Sequence, residues 1–352
     1  MEDFIQTQAA LHPSIMPQDA LKMCFQAAFG AEHLLTDMGK VEGYFWREYE
    51  NCQPTDQPLY EMIAPEVCRV NLAAWKKLHL PPTWLFRLFV EAAASVRLSD
   101  GETRFFEYIN TWSKFACDNG QVLAFSFAEL ETAVAAYLAA CGGKPHAVHH
   151  SAQYRAAEKP AYRVVAGAPM RLLPVLTALA GMDGGVIAID GQAASGKSTL
   201  AAALAAVIGA EVVHMDDFFL PKALRTAERM EEAGGNIHYE RFLAEVVSPL
   251  ARHAPASLTH RVFNCQTMDY GAPRTIPPTP WLIVEGSYSH HPHFGGYANL
   301  RVFSYTDPKT QIERITARNG ERLASMFTTT WIPMEEAYFS AYQIREKSHL
   351  TI

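Results

Sequence analysis

The spacing of hydrophobic residues along the chain changes near residue 166. Before that point, apolar side chains recur every three or four positions, and alternation with a period of two is hardly seen. Segments with the helical period lie at residues 17–28, 41–45, 105–116 and 127–138. The pattern predicts an all-helical (all-α) domain over residues 1–145. The polar, turn-rich stretch 146–165 that follows is predicted to be a linker.

After residue 166, short apolar runs alternate with segments of helical period. The runs lie at residues 186–189, 211–214, 282–284 and 300–305. Strands that are separated by helices favour a parallel sheet wrapped by helices. The pattern therefore predicts an α/β domain over residues 166–352. In such a domain, ligands bind beyond the carboxyl ends of the strands.

The first of these apolar runs leads into a glycine-rich loop and then into an alanine-rich helix. The loop has the pattern Gly-x-x-x-x-Gly-Lys-Ser and consists of Gly191, Gln192, Ala193, Ala194, Ser195, Gly196, Lys197, Ser198 and Thr199. Glycines let the backbone curl around a polyphosphate with its N–H groups inward, at the positive end of a helix. Lys197 would reach the β- and γ-phosphates, and the Ser198 hydroxyl would ligate Mg²⁺. We therefore predict a phosphate-binding (Walker A) loop, or P-loop, that uses ATP or GTP with Mg²⁺.

The bulk properties of the chain exclude several classes of function. A length of 352 residues favours two domains. Because 37 acidic residues outnumber 30 basic ones, the net charge of −7 offers no overall attraction to nucleic acid or to an anionic membrane. The six cysteines, without paired spacing, are typical of thiols in a reducing compartment, and no signal peptide or membrane span is predicted. We expect a cytoplasmic protein with a small-molecule partner; a homo-oligomer is left open.

Acidic residues end two of the predicted strands. The sequence His-Met-Asp216-Asp217-Phe-Phe closes the second strand, and Trp-Leu-Ile-Val-Glu285-Gly forms and ends the third. Together with the P-loop, these segments resemble the uridine kinase and phosphoribulokinase group of P-loop kinases. The resemblance implies that Asp216 contacts the acceptor hydroxyl and acts as its base. It also implies that Glu285 and Ser198 hold Mg²⁺.

The resemblance covers about residues 180–352, roughly half of the chain. A predicted helix that begins at Asp307 carries Arg314 and Arg318 four residues apart on one face. It is similar to the lid helix of small-molecule kinases, whose arginines offset the charge of the transferred phosphate. Residues 234–242 resemble a segment that shapes the acceptor pocket. The family often has an aspartate where His238 stands in this chain.

Structural roles remain open for several of these residues. Adjacent acids also occur in solvated turns, and arginines four apart also form solvated helix faces. The loop histidines His146, His149 and His150 invite a metal site, but neutral loop histidines are commoner. The loop with His290, His291 and His293 also invites a metal site, but the sequence favours a loop that lines the nucleotide or acceptor site. Polar residues within two apolar segments interpreted as helices, 26–35 with His33 and 66–72, can form a small site. A hydrogen-bonded core histidine with surface carboxylates explains the same residues.

The predicted function is the ATP- or GTP-dependent phosphorylation of a hydroxyl group on a small molecule, most simply a nucleoside. Lys197, Arg314 and Arg318 would neutralise phosphate charge while the base orients the acceptor. One alternative keeps the fold and changes the acceptor to a sugar, a sugar phosphate or a pantothenate-like compound. Another alternative is a nucleotide-gated binding module whose helical half engages a partner.

Overall fold

The computed structural model describes residues 1–31, 38–95, 100–251, 257–264 and 267–352. The chain forms two compact units, Met1–Leu173 and Pro174–Ile352. Among the described residues, no helix is long and apolar enough to cross a membrane. His33 and Cys265, which the sequence analysis considers, lie outside the described residues.

The first unit combines helices with a small antiparallel sheet. Its helices are α1 (Glu2–Leu11), α2 (Pro17–Phe29), α3 (Met38–Asn51), α4 (Leu72–Lys77), α5 (Pro82–Ser95), α6 (Gly101–Asn119), α7 (Phe127–Ala140) and α8 (Ala152–Glu158). Its strands are β1 (Tyr60–Ala64), β2 (Val67–Asn71) and β3 (Tyr162–Ala166), paired in the order β1–β2–β3. The prediction of an all-α first domain was therefore wrong.

The central strand β2 escaped detection because it is covered on both faces. Residues 67–70 are all buried, so the strand lacks the polar alternation that marks a half-exposed strand. The chain becomes helical only after Asn71, whose side-chain oxygen accepts hydrogen bonds from the N–H groups of Ala73 and Ala74 at 2.9 and 3.1 Å. The interpretation of residues 66–72 as one helix was accordingly wrong.

Residues 146–165 fold as part of the first unit, whereas the sequence analysis treats them as a linker. They contain helix α8 and strand β3, and β3 pairs with β2. The Tyr137 hydroxyl donates to the carbonyl oxygen of His146, and Ser151 binds the Asp19 carboxylate through its N–H and its hydroxyl. The two units meet in sequence between Leu173 and Pro174.

The second unit is built around a parallel sheet. Its helices are α9 (Leu173–Ala178, whose first residue belongs to the first unit), α10 (Lys197–Ile208), α11 (Ala227–Glu231), α12 (Tyr239–Phe242), α13 (Ser248–Leu250), α14 (Pro308–Asn319), α15 (Glu321–Met326) and α16 (Ile332–Tyr342). Its strands are β4 (Gly185–Gly191), β5 (Glu211–His214), β6 (Leu258–Asn264), β7 (Asp269–Ile276), β8 (Trp281–Glu285), β9 (Leu300–Ser304) and β10 (Leu350–Thr351). Strands β6 and β7 form a separate antiparallel hairpin.

The five-stranded sheet has the order β10–β9–β4–β8–β5, and every pair in it is parallel. The four strands predicted from the apolar runs are confirmed in β4, β5, β8 and β9. The register pairs Glu285 at the end of β8 with Ile189 of β4 and with His214 of β5. The loops that follow these three strands therefore begin side by side, which places their side chains at one edge of the sheet.

We expect a truncated chain of residues 167–352 to fold on its own and to bind MgATP. One apolar core cluster of the second unit consists of buried side chains from Val186 to Ile344, all within that unit. Circular dichroism should show a cooperative thermal transition, and MgATP should raise its midpoint. An insoluble product, or a folded one whose midpoint ignores MgATP, would contradict this expectation.

Candidate active site

The P-loop is shaped by residues with a positive backbone φ. Gly191 has φ 136°, and a Cβ atom there would lie 2.1 Å from the carbonyl oxygen of Ser304 on the neighbouring strand. Gly196 has φ 98°, with no atom within 4 Å of a Cβ position, and Ala194 adopts φ 56°. Only glycine fits at Gly191, because any side chain would collide with backbone. The loop can therefore start directly at the carboxyl end of the central strand.

Lys197 is the first residue of helix α10 and folds back over the loop. Its Nζ donates to the carbonyl oxygens of Gly191 and Gln192 at 2.9 and 2.8 Å, and the side chain is buried. These two contacts fix the ammonium group beside the start of the loop. The helix dipole and the lysine thus add positive charge at the same point, which suits a phosphate group.

Ser198, Glu285 and His214 form a hydrogen-bonded chain across three elements. The Ser198 hydroxyl lies 3.1 Å from both carboxylate oxygens of Glu285, and His214 Nδ1 lies 2.6 Å from Glu285 Oε1. The Glu285 side chain is buried, and its hydrogen bond raises the pKa of His214. A hydroxyl and a carboxylate fit Mg²⁺, which proteins bind through one or two carboxylates plus substrate phosphates. No larger cage of His, Cys, Asp or Glu exists among the described residues.

Asp216 and Asp217 point in different directions from the 3₁₀-helix Met215–Phe218, which follows β5. Asp217 is buried and its Oδ2 lies 3.0 Å from Nε2 of His260 on β6. The Asp216 side chain is open to solvent, but surrounding protein atoms limit its hydration. This desolvation, and then the nearby charge of Glu285, raises the pKa of Asp216, although Lys197 opposes the shift. Asp217 is thus a structural residue, whereas Asp216 is free to meet a ligand.

Asp190 is a central residue that the sequence analysis missed. Its side chain is fully buried. Its Oδ1 accepts from the N–H groups of Gly191 and Tyr288 at 2.7 and 3.0 Å, and its Oδ2 accepts from the His290 N–H and the Tyr338 hydroxyl at 2.9 and 2.8 Å. One carboxylate therefore joins the P-loop, the loop after β8 and helix α16. An acid that ends an apolar strand directly before the loop is the signal that could have identified it.

Glu335 is a second residue that the sequence analysis missed. Its Oε2 accepts from the N–H of Ala193 in the P-loop at 2.9 Å, and its Oε1 accepts from the Ser287 hydroxyl at 2.7 Å. Burial raises the pKa of this carboxyl group. Nothing in the sequence distinguishes Glu335 from a surface glutamate, because the partner is 142 residues away along the chain.

Helix α14 places one of the two predicted lid arginines against the loop. Arg314 Nη1 donates to the carbonyl oxygen of Ala194 at 3.2 Å, and Gln311 Nε2 donates to that of Ala193 at 3.1 Å. Arg318 instead donates to the Asn319 side chain at 2.8 Å. The structure therefore brings Arg314 to the P-loop, while the contacts of Arg318 lie elsewhere.

The histidines after β8 are buried and serve packing. His290 Nε2 donates to the carbonyl oxygen of Ala188 at 3.0 Å, and His291 Nε2 donates to that of Ala233 at 3.3 Å. Burial lowers the pKa of both imidazoles, that of His291 to about 4, so both are neutral at pH 7. His291 also stacks on Tyr338 with a centroid distance of 5.8 Å. The expectation that this loop lines the ligand site is therefore not met by these two side chains.

A parallel sheet whose central strand passes through a glycine-rich loop into a helix defines an α/β P-loop fold for the second unit. No family model matches the chain, and no curated protein matches it. Among solved structures, a possible uridine kinase from Bacillus stearothermophilus is 19% identical with a TM-score of 0.41, covering 52% of this chain and 96% of that one. A candidate fructose transport system kinase from a Silicibacter species is 21% identical with a TM-score of 0.44, covering 52% and 98%.

We expect Gly191→Ala to lower the free energy of unfolding by on the order of 3 kcal/mol and to abolish nucleotide binding, because the new Cβ collides with the Ser304 carbonyl. Chemical denaturation and nucleotide titration would measure both effects. The matched control is Gly296→Ala, since no atom lies within 4 Å of a Cβ there. Equal stability losses in the two variants would contradict the assigned role of Gly191.

Proposed function

We propose that the protein is a kinase that transfers the γ-phosphoryl group of ATP or GTP to a hydroxyl group of a small molecule. The observation that carries this proposal is the arrangement of four side chains at one edge of the sheet. Lys197 lies over the P-loop, Ser198 and Glu285 are hydrogen-bonded to each other, and Asp216 lies within electrostatic reach of Lys197 and Glu285. Glu285 ends β8, Asp216 lies in the 3₁₀-helix that follows β5, and Lys197 and Ser198 begin the helix that follows β4 and the P-loop.

Each of these side chains has a task in phosphoryl transfer, which depends mainly on positioning and charge neutralisation. Lys197 and Arg314 add positive charge beside the phosphates. Ser198 and Glu285 would hold Mg²⁺, which neutralises charge on the phosphate oxygens when it is bound. His214, hydrogen-bonded to Glu285 Oε1, orients that carboxylate.

Asp216 would take the proton of the acceptor hydroxyl. In this step the acceptor oxygen forms a bond to the γ-phosphorus, and the bond from that phosphorus to the bridging oxygen breaks. The nucleoside diphosphate leaves, and the hydroxyl proton passes to the Asp216 carboxylate. Because its surroundings raise the pKa of Asp216, this carboxylate is a stronger base than an ordinary aspartate.

A nucleoside is the leading acceptor, and a sugar, a sugar phosphate or a pantothenate-like compound is the second candidate. The contacts of His238 favour keeping the second candidate. Its Nδ1 is hydrogen-bonded to the Tyr270 hydroxyl, and burial lowers its pKa, so it is a neutral side chain already bound to a protein partner. A neutral imidazole cannot replace the carboxylate that the uridine kinase group often has at this position.

The nucleotide-gated binding module is less favoured, because a switch has no need of an acid such as Asp216 beside its P-loop.

Mass spectrometry of a metabolite extract incubated with the protein, ATP and Mg²⁺ should show at least one compound whose mass increases by one phosphate. Lys197→Ala should give no such product, because the lysine supplies charge to the phosphates. Its thermal midpoint should stay close to that of the wild type, since the hydrogen bonds of Lys197 to the described residues go to two loop carbonyls. Release of ADP without any phosphorylated metabolite would favour the binding module instead.

We expect Asp216→Asn to lower kcat by about 10²- to 10⁴-fold, the usual effect of a positioned base, with little change in ATP affinity. The wild-type kcat should fall as the pH drops through the raised pKa of Asp216, which lies above the ordinary value of 3.8. The variant should lack this acidic limb. Steady-state kinetics at saturating acceptor over a range of pH would test both statements.

The control is Asp217→Asn, which removes the charge beside His260 in the interior. It should reduce stability by about 1–3 kcal/mol and keep the acidic limb of the kcat profile. The limb should move to slightly lower pH, because the charge of Asp217 contributes to the raised pKa of Asp216. A larger kinetic effect at Asp217 than at Asp216 would assign the base to the other carboxylate.

A further inference from the structure

The first unit contains a cavity of about 1300 Å³ that has no part in the proposed phosphoryl transfer. All its lining residues belong to that unit, between His12 and Tyr162. Ligand pockets are commonly 300–1,000 Å³, so this cavity has room for a small molecule and its water. Strands β1 and β2 contribute Glu61 and Arg69, which face each other in register.

Arg69 is a buried cation in the wall of this cavity with no acidic hydrogen-bond partner. The side chain is 4% exposed. Its Nε and Nη2 donate to Gln26 Oε1 at 2.9 and 2.8 Å, and its Nη1 donates to Gln8 Oε1 at 3.2 Å. Both acceptors are neutral amides. Three of the five N–H groups of the guanidinium donate hydrogen bonds to the described residues. A buried arginine that retains donor capacity is suited to a ligand that supplies acceptor oxygens.

Next to Arg69, two carboxylates share one histidine. His12 Nε2 lies 2.9 Å from Glu61 Oε2, and His12 Nδ1 lies 3.3 Å from Glu158 Oε2. Burial alone would lower the pKa of His12, but the bonds to Glu61 and Glu158 outweigh it and raise the pKa. The imidazole therefore holds the two carboxylates in place. Gln8 also donates to Glu61 Oε2 at 2.7 Å, and Ser14 donates to Glu158 Oε1 at 2.5 Å. Among the described residues no donor binds Glu61 Oε1, and each bonded oxygen of Glu158 keeps a second lone pair that can accept from a ligand.

Side chains of both charges line the cavity. Among the described residues that line it, three basic side chains face three acidic ones: Arg47, Arg69 and Lys159 against Glu48, Glu61 and Glu158. His12, whose pKa is raised, lies between two of these acids. A ligand with a large net charge would gain from one set and lose to the other. A hydroxyl group both donates and accepts, so it can bind a carboxylate and a guanidinium in turn. The rings of Tyr154 and Tyr162 also line the cavity, where Tyr154 stacks on His150 and the Arg69 guanidinium lies over the Tyr162 ring.

We propose that the cavity of the first unit is a second binding site, for an uncharged polyhydroxylated compound whose neighbouring hydroxyls bind Arg69, Glu61 and Glu158. Two sources of this chemistry exist: a free sugar or polyol, and the ribose of a nucleoside. The site is independent of the P-loop. Its occupant need not be the acceptor of the proposed kinase.

Isothermal titration calorimetry on the full chain tests the proposal. The probes are neutral mono- and disaccharides in one set and nucleosides in another, with free amino acids and sugar phosphates as charged comparators. We expect at least one uncharged polyhydroxylated compound to bind with a stoichiometry of one, and Lys197→Ala to leave its affinity unchanged. The set that contains the tightest binder identifies the source of the hydroxyls.

A matched pair of variants assigns the binding to the cavity. Ala157 lines the cavity from an exposed position on α8, while its neighbour Ala156 is exposed and does not line it. Ala157→Trp should weaken binding by about tenfold or more by occupying the cavity, and Ala156→Trp should not change it. Glu61→Gln, which keeps the shape and removes the charge, should also weaken binding by about tenfold.

Three results would overturn the proposal. The first is that no compound of either uncharged set binds. The second is binding that is equally strong in Ala157→Trp and Ala156→Trp and is unaffected by Glu61→Gln. The third is that an amino acid or a sugar phosphate binds more tightly than every uncharged probe and that Ala157→Trp weakens this binding. None of these results bears on the proposed phosphoryl transfer, because that reaction is measured with ATP and depends on Lys197.

Discussion

The candidate active site depends on the hydrogen bonds that the buried carboxylate of Asp190 accepts. The carboxylate accepts four hydrogen bonds, from Gly191, Tyr288, His290 and Tyr338. An ionised carboxylate without these donors would be very costly in a buried position, so folding requires all of its partners to arrive together. The P-loop, the loop after β8 and helix α16 are therefore held in one arrangement by one side chain.

Prediction from the sequence succeeded where the physical signal is local. Four sheet strands and the loop from Gly191 to Thr199 appear as apolar runs, glycines and a lysine in a fixed order, and the structure has them at those positions. Helix α14 was predicted from its start at Asp307, but its position along its own axis relative to the loop was not. Arg314 and Arg318 share one face and lie about one turn apart, so that position decides that Arg314, and not Arg318, contacts the loop.

The sequence was insufficient where partners are distant along the chain. Glu335 contacts Ala193, and Arg69 contacts Gln8 and Gln26, but no local pattern announces either pairing. The prediction for strand β2 failed for a related reason. A strand that is buried on both faces resembles the apolar face of a helix in composition. Its one charged residue, Arg69, was interpreted as one of the polar groups within an apolar helix and is instead a buried member of a polar network on a strand.

The acids around the P-loop explain why positive charge must arrive with the nucleotide. Asp190 and Glu335 direct their oxygens at backbone N–H and hydroxyl groups, so these two charges are already satisfied by the protein. Glu285 and Asp216 are different. Glu285 shares its oxygens with Ser198 and His214, while Asp216 has a raised pKa because it lies near that carboxylate in poorly hydrated surroundings. Lys197 alone cannot offset these acids and a polyphosphate together. A divalent cation bound at Ser198 and Glu285 would supply the missing charge.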